Sequence, residues 1–105
     1  MTSENYLTIL DKPEFTFVKY FAPWCGHCRN MAEAWSELAV KMNRKANIAE
    51  MDCTLNEDIC SSNGINGYPT LILYKNGKKI DEHSGARDID SLFNFLNSHL
   101  KHDEL

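Results

Sequence analysis

A chain of 105 residues, 43% hydrophobic and 25% charged, fits one compact domain built on a single core. A net charge of −4 and a pI near 5.5 provide no electrostatic footprint for nucleic acid or an anionic membrane. No apolar run approaches the roughly 20 residues that cross a bilayer, so the expectation is a soluble domain with neither nucleic-acid binding nor membrane insertion.

Along the chain the hydrophobic pattern changes period several times, which indicates a mixed fold. Ser3 is placed to cap a short helix carrying Tyr6, Leu7 and Leu10 on one side, closed off near Asp11 and Pro13. "FTFVKYF" then reads as a strand, apolar on both faces and therefore central in a parallel sheet. From Cys25 to about Asn43, Met31, Ala34, Trp35, Leu38 and Met42 recur at helical spacing. "NIAEMD" reads as a second buried strand, and a short helix over Glu57 to Ser62 leads to Gly64. "PTLILYK" and "KKIDEHS", joined by Asn76 and Gly77, carry a tight-turn hairpin signal. Asp88 is placed to cap a last helix whose face is Leu92, Phe93, Phe95, Leu96 and Leu100.

The chain ends in His102, Asp103, Glu104 and Leu105, a receptor-read address that retains proteins in the endoplasmic reticulum. "MTSENYL" has no basic and apolar run of a signal peptide behind it. The expectation is a domain over residues 1–100 and a retention tail over 101–105, taken from the end of a longer precursor. The lumen of that compartment is oxidising, so the four cysteines can be read as disulfide chemistry.

Two of them lie in "WCGHC", where the first strand ends and the long helix begins. Unpaired N–H groups at such a place favour an anion, so Cys25 should ionise easily and act as nucleophile. Cys28, one turn on and more shielded, is placed to close a disulfide with it or to resolve a mixed disulfide. Gly26 permits close approach of a partner, and His27 adds a donor beside the thiolate.

Through "FAPWCGHC", "GYPTL", "YKNGKK" and "SGARDIDSL" the chain resembles a thioredoxin-fold domain of the protein disulfide isomerase family, most of all the C-terminal domain of the members with three such domains. The resemblance implies an α/β thioredoxin fold, a central mixed sheet flanked by helices, with the first strand missing or truncated. It implies oxidation, reduction or isomerisation of disulfides in unfolded or partly folded secretory proteins, with no organic cofactor. The implied partners are those cysteine-containing clients, the retention receptor and the upstream domains of the same precursor. By the same resemblance, Tyr68 and Pro69 match a cis-proline loop facing the dithiol, and Trp24 with Tyr68 forms an apolar contact patch. Arg87 matches an arginine that eases deprotonation of the second cysteine. Gly and His between the thiols match isomerases, which implies a more oxidising dithiol than thioredoxin's.

Two readings compete. A structural zinc site would use paired cysteines, but the second pair, Cys53 and Cys60, has six residues between them where zinc spacing has two to four, and no metal is expected. A binding module with a vestigial dithiol would have lost one of the active cysteines, and both are present. Cys53 and Cys60 are favoured as a structural disulfide, with buried free thiols as the alternative, because sequence does not fix connectivity.

Two positions depart from the family. Glu33 stands where a helix-kinking proline is usual, so the helix is expected to run straighter. Lys19 stands where relatives bury a carboxylate, on the strand face of Phe17 and Phe21, while Glu50 stands where they place a lysine. The expectation is a charge-reversed pair beneath Cys28, with Glu50 accepting the proton of that thiol; separate snorkelling of the two side chains is the alternative.

Overall fold

A computed structural model describes residues 1–103; Glu104 and Leu105, half of the retention tetrapeptide, lie outside the described residues. The elements are α1 (Tyr6–Leu10), β1 (Thr16–Phe21), α2 (Gly26–Asn30), α3 (Ala32–Lys41), β2 (Asn47–Asp52), α4 (Glu57–Ser62), β3 (Thr70–Lys75), β4 (Lys78–His83) and α5 (Ile89–Asp103). The four strands form one sheet in the order β2-β1-β3-β4. No strand precedes α1 among the described residues.

Strand β1 is central, and period-two alternation divides its side chains between two cores. Phe17 joins Leu71, Leu73, Trp35, Leu38, Leu92 and Leu96 under α3 and α5. Val18 and Tyr20 join Met51, Ile72, Leu10, Cys53 and Cys60 under α1 and α4. Burial on both faces explains the continuous apolar run, but the sheet is mixed and not parallel throughout: β1 runs parallel to β2 and antiparallel to β3. Tyr20 and Tyr74 satisfy each other's hydroxyls inside the second core at 2.7 Å.

Further expectations need correction. NIAEMD is an edge strand, and of its residues only Met51 is fully buried. It pairs on one side alone, so half-burial suffices. Ser3 does not cap α1: its N–H donates to Asn56 Oδ1 at 2.8 Å, and the helix starts from Asn5 without a side-chain cap. Leu7 points to solvent at 67% exposure, because one turn of helix buries Leu10 and only half-buries Tyr6 and Ile9.

The long helix is broken despite the absence of proline. Met31, at φ −99° and ψ 0°, separates α2 from α3. The break falls between two buried groups. Cys28 on α2 buries beside Ala22 and Cys25, whereas Met31, Trp35 and Leu38 bury in the core over β1 and β3. The Asn76-Gly77 turn has φ values of 54° and 79°, the left-handed pair a two-residue hairpin of this hand requires.

Candidate active site

The end of β1 delivers Phe21-Ala22-Pro23-Trp24 to Cys25, which caps α2 with extended backbone at φ −78° and ψ 117°. From there Cys25 Sγ accepts a hydrogen bond from the Cys28 N–H at 3.2 Å, and its thiol faces the Tyr68 carbonyl at 3.6 Å. Both thiols are unbonded and buried. The peptide bond between Tyr68 and Pro69 is cis.

The two thiols differ electrostatically. Burial raises the Cys25 pKa, but hydrogen bonds from the Cys28 thiol and from the Cys28 and His27 N–H groups, with the charge of Arg87, outweigh it and hold the thiol below its ordinary value. Cys28 is pushed up to about 11, first by burial and then by its hydrogen bond to Cys25. The proton therefore leaves Cys25 first.

The surroundings of the pair are distinct on each side. Trp24 is 68% exposed, its ring edge-on to Tyr68 at 5.6 Å. Nothing lies within 4 Å of where a Cβ on Gly26 would point, so the space over Gly26 is open. Arg87 and His27, both exposed, line a groove of about 450 Å³ along α2. In this arrangement the charge of Arg87 acts on Cys25, and that of Lys19 acts on Cys28.

Behind Cys28 a cavity of about 220 Å³ is lined by Cys28, Lys19 and Glu50 together with Phe21, Pro23 and Arg29. The parallel register sets Lys19 opposite Glu50, and Lys19 Nζ lies 3.0 Å from Glu50 Oε2. The lysine side chain is 5% exposed and the glutamate 52%. Lys19 Nζ also stands 5.2 Å and 5.9 Å from the ring centroids of Phe21 and Trp35. Sequence reasoning missed Arg29 as a wall of this cavity, since helical spacing marks it only as a solvated basic residue.

Cys53 and Cys60 form a disulfide with Cα atoms 5.8 Å apart. The Cys53 N–H donates to the Phe21 carbonyl at 2.9 Å, which moors this loop to the end of β1 from which the thiol loop departs. Asn56, within the loop, also donates to the Asp52 carbonyl at 2.9 Å. Its role was not legible, because an asparagine in a loop sequence says nothing of a partner 53 residues away. Among the described residues no group of three or more His, Cys, Asp or Glu side chains is placed to hold a metal.

A family model described as Thioredoxin matches residues 1–98. The chain is 42% identical over 94 residues to a thioredoxin domain-containing protein 5 homolog of Drosophila melanogaster, covering 85% of this chain and 23% of that protein. It is 35% identical to protein disulfide-isomerase 1 of Dictyostelium discoideum, covering 96% of this chain and 29% of that protein. The chain thus spans less than a third of either curated relative. Among solved structures, the J-Trx1 fragment of ERdj5 superposes with a TM-score of 0.89 at 26% identity, over 95% of this chain and 48% of that one. Human ERp44 superposes with a TM-score of 0.90 at 25% identity, over 95% of this chain and 32% of that one.

Proposed function

This chain belongs to the thioredoxin family and is homologous to protein disulfide isomerases, and from that premise we propose that it is a thiol-disulfide oxidoreductase and isomerase acting on folding secretory proteins. The observation that carries the proposal is the opposite displacement of two adjacent thiols, Cys25 held low and Cys28 held high, with the Cys25 thiol facing the Tyr68 carbonyl beside the cis Pro69. One thiol is ready to attack. The other keeps its proton until needed.

In the reductive direction the Cys25 thiolate attacks one sulfur of a client disulfide, forming a Cys25-client bond while the second client sulfur leaves as thiolate. Cys28 then loses its proton and attacks Cys25 Sγ, forming the Cys25-Cys28 disulfide and releasing the first client sulfur as thiolate. The client gains two electrons and the dithiol loses two. The reverse sequence oxidises a client dithiol. Isomerisation follows when another client thiol resolves the mixed disulfide in place of Cys28.

His27 and Arg87 stabilise the Cys25 thiolate, Gly26 leaves room for the client, and Trp24, Tyr68 and Pro69 receive its chain. The Cys28 proton passes through the small cavity to Glu50, whose half-exposed carboxylate delivers it to bulk water. Lys19 holds that carboxylate in place and favours the thiolate form of Cys28. With histidine in place of thioredoxin's proline, the favoured direction is oxidation and isomerisation.

The proposed location is the lumen of the endoplasmic reticulum. Support comes from the C-terminal His102-Asp103-Glu104-Leu105 and from relatives whose names place them among protein disulfide isomerases. The retention receptor and upstream domains of a longer precursor are proposed as partners. An insulin-reduction assay of the protein beside its Cys25→Ala variant tests the activity. Turnover should vanish in the variant, and equal activity in both would refute the proposal.

A further inference from the structure

The Cys25 thiol is bordered by two surfaces that share no residue. One is aromatic, with the exposed Trp24 ring set edge-on against Tyr68, whose carbonyl the thiol faces. The other is the groove along α2, flanked by His27 and Arg87. Its one carboxylate, Asp88, is already engaged: Oδ2 accepts from Ser91 N at 3.2 Å and Oδ1 from Ser91 Oγ at 2.7 Å. Neither His27 nor Arg87 forms a salt bridge among the described residues. Arg87 thus brings a permanent cation to the groove beside His27, unpaired with the Asp88 carboxylate, in a chain whose net charge is −4.

Tyr68 meets the Cys25 thiol directly, and His27, two residues on from Cys25, opens the groove, so a chain bonded to Cys25 has a surface within reach on each side. We infer that the site reads its client on both sides of the reacting cysteine, taking a large apolar residue against Trp24 and Tyr68 and an acidic side chain into the His27–Arg87 groove. This rests on the oxidoreductase reading and specifies its substrate: an extended polypeptide segment with an aromatic or aliphatic residue on one flank of its cysteine and Asp or Glu on the other. An acidic flank is also drawn in by the charge of Arg87 at low ionic strength. A lysine there meets like charge, which is discrimination by repulsion as well as by attraction.

The test uses the Cys28→Ala protein and short peptides whose single cysteine is capped as a pyridyl disulfide, chosen because the leaving group carries no carboxylate. Cys25 attacks the peptide sulfur, a Cys25-peptide disulfide forms, and 2-thiopyridone is released and read by absorbance. The peptides carry Phe on one side of cysteine and Glu, Gln or Lys on the other, in both orders. At low ionic strength, one order should give a Glu-to-Lys rate ratio of about threefold or more. The ratio should fall toward unity in high salt and in Arg87→Gln. Equal rates for Glu and Lys in both orders, or a ratio that Arg87→Gln leaves unchanged, would overturn the inference. If no peptide reacts faster than with a Cys25→Ala control, the oxidoreductase reading itself fails; if all react alike above that control, only the flank preference does.

Discussion

Lys19 and Glu50 face each other across the parallel register of β1 and β2, 3.0 Å apart, with the lysine buried and the glutamate half in water. The asymmetry sets the energetics. Breaking a fully buried pair costs about 3 to 5 kcal/mol and an exposed one about 0.2 to 1. Water at Glu50 screens this pair, so the coupling energy in a Lys19→Met and Glu50→Gln cycle should be about 1 to 2 kcal/mol. Glu50→Gln should destabilise more than Lys19→Met, since it strands an ammonium among Phe21 and Trp35 while a lone Glu50 can turn outward. Release of mixed disulfides should slow in Glu50→Gln. Additive effects on both denaturation midpoint and turnover would show that the two residues act independently.

The thiol pair should separate in a pH series of alkylation on the reduced protein. Cys25 should react with iodoacetamide below the ordinary thiol range, and Cys28 should stay protected until about pH 11. Stability of the reduced form follows the same shifts. Cys28 is raised in the folded state, so its contribution is fully present below the unfolded thiol value of about 8.5 and is lost as pH rises toward about 11. Cys28→Ala should abolish that alkaline loss. A reduced protein whose stability fell just as steeply without Cys28 would contradict the assignment.

Much of this arrangement was legible because it depends on local pattern. The apolar run of β1, the Asn76-Gly77 turn and the periodicity of α5 each need only neighbours in sequence. What was not legible depends on who sits alongside. The NIAEMD strand looks fully buried until the sheet order leaves one of its edges free. The break at Met31 falls where burial passes from the thiol cluster to the main core, with no proline to mark it, and Leu7 is exposed because α1 is a single turn. Lys19 and Glu50 could be paired on paper through register, but the cavity joining them to Cys28 is a product of packing.

The Cys53-Cys60 disulfide lies apart from the dithiol and closes a short loop of separation 7. Chain-entropy arguments give a loop of that size about 2 to 3 kcal/mol. Replacing both cysteines with alanine should lower unfolding free energy by roughly that amount while leaving turnover at moderate temperature nearly intact. Loss of turnover with unchanged stability would assign this bond a redox role instead.

Glu33 is the second residue of α3, just past the break. Proline is tolerated in a first helical turn, whereas in a helix interior it costs about 3 kcal/mol. Glu33→Pro should therefore cost about 1 kcal/mol or less in chemical denaturation. A loss near 3 kcal/mol would mean that α2 and α3 act as one continuous helix.

The division of labour between the thiols is tested most directly by trapping. Cys28→Ala should accumulate a mixed disulfide with a disulfide-containing client, and mass spectrometry of the adduct should place the bond at Cys25. Cys25→Ala should form none. Adducts at Cys28 in the Cys25→Ala protein at comparable yield, or no adduct at Cys25 when Cys28 is absent, would contradict the assignment of Cys25 as nucleophile and Cys28 as resolving thiol.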